Sequence, residues 1–564
     1  MLWERVTSSR TVRLGALGLL VVGFALSFGL NGAKSNLAAY LVAAVRTLRP
    51  ELWSRDFVIN TPVIHPVFAK LAAALLYVDP SGWLIGLSNV AAVCAGMWCV
   101  YRLVVATVSR EHFTAFSFVL IVAAASRTGS IGGSYFFSDT FQPSTLGSLA
   151  LLAAAFFFVH GKALAGGIWL ALAGAVHLNY LVLSLPVFGL AWLLSWRPRS
   201  LASLLAIVGP ALPVLALFVP LLIASGSGPA AVASEARRIL QDIRNPHHYH
   251  VASFAWSFLP WAGFQLLGAA ALWSRAKEGE PVARRLLALL CGFTVLIVPA
   301  ALLSSVVLIR WIDALFAWRV APHANLLAQV AIGGALARAY SEPSFSVARL
   351  STVQRLLGGL GLAALLLAVL AGTLVPASVL TLALVALALA RPWWAGAAQA
   401  PERTPPLLEL ALAVTAACAL LPTLAKLDAD SDLLGGKDRD LEALCGWVKA
   451  STPIDALLLT PPDEEGIRLA CQRSIVADWK LTPVVPADIL RWYERIELVT
   501  GRKPFRHEAE LAGYATLDAS RVHQVREAYG ADFWVVRDDA EHPPQALPAY
   551  RHGRFQVYRL PLNQ

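Results

Sequence analysis

Residues 48–78 read LRPELWSRDFVINTPVIHPVFAKLAAALLYV, and the way this stretch meets a membrane decides the topology of everything after it. Its first half is too polar to cross a bilayer. Its second half, Pro66 to Val78, is apolar but well short of the ~20 residues that a spanning helix needs. It follows one apolar segment, Leu14–Leu30, and precedes another, Trp83–Val105. We read it as an outer loop carrying Arg55 and Asp56, followed by a helix that lies on the membrane surface.

The composition demands a membrane protein. Of 564 residues, 57% are hydrophobic and only 15% are charged, with a mean hydropathy of +0.61; soluble chains carry about 25% charge. Apolar runs long enough to span recur along most of the length. The segment Leu14–Leu30 has a basic flank (Arg5, Arg10, Arg13) but no small-x-small site closing it, so we expect an uncleaved first span.

Further spans are expected at Phe113–Ala125, Thr145–Phe158, Ala163–Val176, Tyr180–Trp196, Ala202–Ile223 and Phe258–Trp273. Others follow at Leu286–Leu308, Val320–Leu336, Leu356–Leu374, Ala377–Ala390 and Leu407–Leu424. The total is about thirteen transmembrane helices. With Pro66–Val78 kept on the surface, Lys162, Arg197–Arg199, Arg275–Lys277, Arg284–Arg285, Arg338–Arg355 and Arg391–Arg403 all fall inside, as the positive-inside rule requires. The N-terminus is then cytoplasmic and the C-terminus periplasmic, in a bacterial inner membrane.

The expected fold is a polytopic α-helical membrane domain over residues 1–426, with a first outer loop at 33–80 and a long one at 225–257. A periplasmic α/β domain covers 427–564. In it we expect helices at Asp438–Ala450, Pro486–Val499 and Asp518–Tyr529, and strands at Asp455–Thr460, Ser474–Ala477, Asp532–Val536 and Phe555–Leu560. That domain is mildly acidic, so the net charge of +10 belongs to the membrane part. The arginines sit at helix ends instead of forming a basic stripe with aromatics, which argues against nucleic acid. Four of the six cysteines lie in apolar segments. The other two, Cys445 and Cys471, pair only if the domain meets an oxidising compartment, and the sequence leaves that open.

Chemistry is expected on the outer loops. Asp56 is either a general base or a helix cap or surface partner of Arg55. Asp139, in SRTGSIGGSYFFSDTFQP (126–143), is either a second carboxylate of the site or a cap before Gln142-Pro143. His247, His248 and His250 form a run suited to a metal, a phosphate or interfacial packing. Arg310 and Arg319 bracket another outer loop; arginine there suits a lipid phosphate, and snorkelling explains either one equally. His177 and His323 sit near outer helix ends, for function or for a helix–helix hydrogen bond. No P-loop, G-x-G-x-x-G with a following acid, G-x-S-x-G or H-E-x-x-H is present.

A long apolar helix, an outer loop with an acid, then the His65-Pro66…Lys70-Leu71 helix, a span and an inner Arg cluster resemble the start of GT-C superfamily glycosyltransferases. Protein O-mannosyltransferases and lipid A aminoarabinose transferases have a comparable first loop. The dozen or so spans followed by an α/β domain are similar to oligosaccharyltransferase catalytic subunits, although no Trp-Trp-Asp motif occurs. The resemblance implies transfer of a sugar from a polyprenyl-phosphate donor to an acceptor on the periplasmic face. Asp56, with Asp139 beside it, would then be catalytic. Arg55, His65, Lys70, His247, His248, Arg310 and Arg319 would contact donor or lipid phosphate. Many members carry paired acids, whereas Asp56 stands between Arg55 and Phe57; a divalent metal is left open. The rival reading is a transporter or an assembly scaffold with a partner-binding domain, but halves related by repeats are not evident.

Overall fold

The structure, a computed structural model, describes residues 36–108, 112–125, 131–134, 136, 140–226, 228–306, 315–341, 350–373, 375–394, 438–541 and 547–561. It is a multi-pass helical bundle capped at one end by a small α/β unit. The expected spans at Leu14–Leu30 and Leu407–Leu424, and the domain boundary at 426, lie outside the described residues.

Among the described residues, five helices are long and apolar enough to cross a membrane, or six if one bent pair counts as a span. The long ones include Trp83–Thr107, Leu178–Ser195 and Thr352–Leu370. Shorter apolar helices such as Pro143–Val159 and Ala163–Val176 pack among them. The continuous span expected over Ala202–Ile223 is instead two helices, Leu201–Val208 and Ala211–Gly226, bent by 40°. Gly209-Pro210 lies at the break, and proline cannot continue the hydrogen-bond ladder across it.

Arginines mark one end of the bundle. Arg275 and Arg338 both donate to the Thr107 carbonyl. Arg284 donates to Ser195 O at 2.9 Å and Arg285 to Val159 O at 3.1 Å. Each acceptor lies at the C-terminal end of an apolar helix, where carbonyls lack intrahelical partners and the helix dipole favours a cation. The pattern read as positive-inside is therefore also a set of helix caps.

The other end carries the loops. The first outer loop is more ordered than expected, because a further helix, Asn36–Leu48, packs against Pro66–Val78. The long loop folds into a helix at Ala230–Arg238, a π-helical turn at Ile239–Arg244 and short helices at Pro246–Tyr249 and Val251–Ser257.

The C-terminal unit holds a five-stranded sheet: β1 Leu457–Leu459, β2 Ser474–Ile475, β3 Phe533–Arg537, β4 Tyr550–His552 and β5 Phe555–Arg559. The strand order is β2-β1-β3-β5-β4. β2, β1 and β3 run parallel, while β5 is antiparallel to its neighbours β3 and β4. The helix Arg439–Ser451 covers one face, through Leu444 and Val448. Pro486–Thr500 and Ala519–Tyr529 cover the other, with Trp492 and Ile496 buried. That second core also contains Val58, Ala236, Ile239 and Ile243. Loops from the membrane domain thus complete the core of the C-terminal unit.

Cys445 and Cys471 are disulfide-bonded. The bond ties the helix Arg439–Ser451 to the short helix Ile467–Cys471. Replacing both cysteines with serine frees a link across 26 residues and should cost about 3 kcal/mol. The expected reading is a lower thermal midpoint for the C-terminal unit; an unchanged midpoint would show that the link contributes nothing.

Candidate functional site

Most of the described site residues fall into two groups, an ion network around Asp56 and a basic cluster of arginines and histidines. Asp56 belongs to the first group. It is fully buried, and both carboxylate oxygens are taken. Oδ1 accepts from Ile59 N–H at 3.1 Å. Oδ2 accepts from Arg468 Nε at 2.8 Å and from Ile475 N–H at 3.1 Å. Arg468 reaches on to Asp478 through Nη1, and Asp478 also accepts from Leu481 N–H at 2.7 Å. Arg468 itself is 4% exposed.

The adjoining residues reinforce the tie. Trp53, fully buried with a left-handed backbone at φ 59°, donates to Arg468 O at 3.1 Å. Such a backbone costs on the order of 1 kcal/mol and persists only when its surroundings fix it. Arg55 pairs with Asp532 at 2.6 Å and bonds Gly530 O. Arg495 lies over Phe57 at 4.5 Å and over Tyr529 at 4.0 Å. The stretch expected to present a base to a substrate instead docks the first loop onto the C-terminal unit. Arg55, expected at a lipid phosphate, is engaged with Asp532, and Lys70 is exposed on the helix Pro66–Val78.

The second group gathers His65, His177, Arg244, His247, His248 and Arg319. The His65 and His177 rings lie 4.7 Å apart, and those of His247 and His248 4.1 Å apart. Phe316 packs beside the second pair, with Arg319 over its face at 4.4 Å and His248 and Tyr249 at 5.5 and 5.6 Å. Its own backbone is left-handed, at φ 51°, where the chain turns into the following helix.

Gly132 and Gly133 shape the floor. His248 Nδ1 bonds Gly132 O at 2.8 Å, and Trp318 Nε1 donates to His248 O at 2.6 Å. Gly132 has φ +60°, and a Cβ there would meet Trp318 at 2.3 Å. Only glycine satisfies both the conformation and the approach.

Electrostatically the cleft is poor in charge-neutralising partners. Burial holds His65 neutral down to about 3, aided by the Arg319 cation. Burial likewise lowers His248 to about 4, with His247, Arg319 and Arg244 adding to it against the pull of the Gly132 carbonyl. Burial also lowers Arg244, opposed by the more distant Glu508, Asp478 and Glu465. Arg244 donates to Lys480 O at 3.2 Å and lies over Trp479 at 4.9 Å. The Nε atoms of Arg244 and Arg319 are buried without a hydrogen-bond partner, as are Nδ1 of His65 and His177. Buried polar atoms of this kind normally find partners.

Asp139 and Arg310 lie outside the described residues. No group of three or more potential metal ligands occurs among the described residues. His323 is buried beside Ser148 at 3.0 Å, the helix–helix hydrogen bond among its two readings. Sequence reasoning missed Arg244, Arg468 and Asp478. Arg244 directly precedes the Asn245-Pro246-His247-His248 run, a signal that was available; Arg468 and Asp478 look like ordinary surface charges until the fold buries them.

A profile described as a domain of unknown function (DUF6798) matches residues 439–499, a span that includes Arg468 and Asp478. No characterised protein matches the chain in sequence. Among solved structures, apo ArnT from Cupriavidus metallidurans is similar at 13% identity and a TM-score of 0.48, over 97% of each chain. The Archaeoglobus fulgidus oligosaccharyltransferase is similar at 11% identity and 0.47, over 94% of this chain and 70% of that one. The arabinofuranosyltransferase AftD from Mycobacteria is similar at 16% and 0.47, over 98% and 40%. All three TM-scores lie below 0.5, and the site has to be read from this chain's own residues.

Two outcomes follow from the geometry. Asp56→Ala leaves Arg468 short of a buried partner and should destabilise by ~3–5 kcal/mol, whereas Asp56→Asn, which keeps acceptor capacity, should cost less. Equal losses in chemical denaturation would overturn the tie. For the imidazoles, the folded state binds fewer protons than the unfolded chain, whose histidines titrate near 6.5. Stability should therefore fall as pH drops from about 6.5 towards 4 for His248 and on towards 3 for His65. His65→Gln should flatten that slope; an identical slope would remove His65 from the account.

Proposed function

We propose that the chain is a GT-C-type membrane glycosyltransferase that holds the phosphate of a polyprenyl-phosphate-linked sugar between Arg244, Arg319 and the adjoining histidines. One observation carries the reading: two guanidinium groups, from the long loop and from the turn at Phe316, each keep a buried Nε without a protein partner. Guanidinium suits a phosphate oxygen as a planar, permanently charged donor. A lipid phosphate at the loop-bearing end of the bundle would leave its tail among the apolar helices.

In the reaction, an acceptor oxygen forms a bond to the sugar's anomeric carbon. The bond from that carbon to the carrier phosphate breaks, and its electron pair leaves with the phosphate. Arg244 and Arg319 stabilise the charge that develops there. The acceptor's proton passes to a base, for which Asp139 is the candidate that remains. Asp56 serves in this reading as the tie between the domains. The disulfide supports a location for the C-terminal unit on the oxidising, periplasmic side of an inner membrane.

The test is binding and cleavage of radiolabelled polyprenyl-phosphate sugars by purified protein. Arg244→Ala and Arg319→Ala should each weaken undecaprenyl phosphate binding roughly 10- to 100-fold, while Asp56→Asn changes it little. Undiminished binding in both arginine variants would sink the phosphate seat. Movement of an intact donor across vesicles without cleavage would favour the transporter reading.

A further inference from the structure

Beside the basic cleft lies a second space, a cavity of about 300 Å³ between the helix Asn36–Leu48, residues 58–69 and the segment Leu481–Val484. Its walls are Tyr40, Val58, Ile59, Val63, Ile64 and Phe68 from the membrane side, and Leu481 and Val484 from the C-terminal unit. Its polar side chains are Tyr40, Arg46, Thr47, Thr61, His65 and Thr482, of which Thr47 donates to Ala43 O and Thr61 to Val58 O. Arg46 lines it but is committed to Ile59 O and Asn60 Oδ1. Among the described residues, no carboxylate lines it.

His65 belongs to both spaces. It lines the cavity, its ring lies tilted against His177 with centroids 4.7 Å apart, and its buried Nδ1 has no partner. The two spaces are also joined through Arg244, whose hydrogen bond to Lys480 O sits directly before the Leu481–Val484 wall.

We infer that this cavity seats the acceptor, and that the acceptor is an alcohol with an apolar body, its hydroxyl directed to His65. The inference rests on the glycosyltransferase reading above and adds the class of acceptor. The lack of a carboxylate disfavours a cationic acceptor, and the commitment of Arg46, Thr47 and Thr61 to protein acceptors disfavours a bare polysaccharide, many of whose hydroxyls would be left unpaired. The carrier's own tail fits poorly. The cavity is at the small end of the range for small-molecule sites, and residues of the C-terminal unit roof it, whereas a long isoprenoid belongs in the hydrocarbon core. Val63 and Ile64 are partly exposed, at 42% and 43%, and form its apolar lip beside the surface helix.

The experiment uses full-length protein in lipid nanodiscs and a diazirine derivative of decanol as the probe, with labelled peptides mapped after irradiation. Labelling should fall on residues 58–69 and 481–484, be displaced by excess decanol and persist with undecaprenyl phosphate present. Ala43→Trp, which fills the cavity, should cut that labelling about tenfold and leave undecaprenyl phosphate binding intact. Val63→Asp, at the lip, gives the same readout if the tryptophan variant does not fold. Labelling confined to lipid-facing helices, or displaced by undecaprenyl phosphate, overturns the proposal. Labelling that survives in Arg319→Ala, where phosphate binding is lost, separates this inference from the phosphate seat; if wild type binds no undecaprenyl phosphate yet labels here, only the seat falls.

Discussion

Arg468 stands between two buried carboxylates, Asp56 at 2.8 Å from its Nε and Asp478 at its Nη1, and the arrangement of the outer half of the molecule depends on that contact. Taking each ion out of water costs several kcal/mol, which is recovered only with good geometry and further hydrogen bonds. The chain supplies those bonds from backbone: Ile59 and Ile475 to Asp56, and Leu481 to Asp478. The partners come from the first outer loop and from both sides of β2 in the C-terminal unit. The network forms only when those segments are docked, so it specifies one relative placement where apolar contact alone would tolerate sliding.

That placement sets the cleft. The segment from Asp478 to Val484 passes from the ion network to the Arg244 contact at Lys480 and then to the cavity wall. The shared apolar core, in which Val58 and Ile243 lie with Trp479 and Trp492, holds the long loop in the same frame. His248 and Arg319 meet across Phe316 because Gly132 lets Trp318 approach closely enough to bond the His248 carbonyl. Each step is local, but removing the docking would release all of them together.

Much of the fold was legible in the sequence, for a physical reason. Apolar runs and period patterns placed the helix Ala163–Val176 to the residue, and β1, β2, β3 and β5 nearly so, because hydrophobic burial is written along the chain. The helix Asn36–Leu48 was missed because its amphipathic pattern is short and finds its partner, Pro66–Val78, only in three dimensions. The site divides in the same way. His65, His247, His248 and Arg319 announced themselves as ionisable groups at membrane-domain loops, and the structure brings them together. Asp56 announced itself too, but its role depends on Arg468, some 412 residues away, and no local pattern encodes that pairing. Charged residues inside a polar domain read as surface until the fold buries them.

The two groups of charges make physical sense together. Asp56 and Asp478 share the one guanidinium that joins them, and the field of Asp478 reaches Arg244. Glu508 and Glu465 add to that field from the C-terminal unit, and with Asp478 they act on Arg244 without a hydrogen bond to it. At such range, in a partly desolvated setting, they help Arg244 stay charged while leaving its Nε unfilled. A carboxylate in direct contact would have stabilised the arginine more and closed the seat to a phosphate. Under the proposed function, keeping the acids back from direct contact would retain a cation that is tolerable when empty and still able to bind an anion, and the docked domain would supply that arrangement.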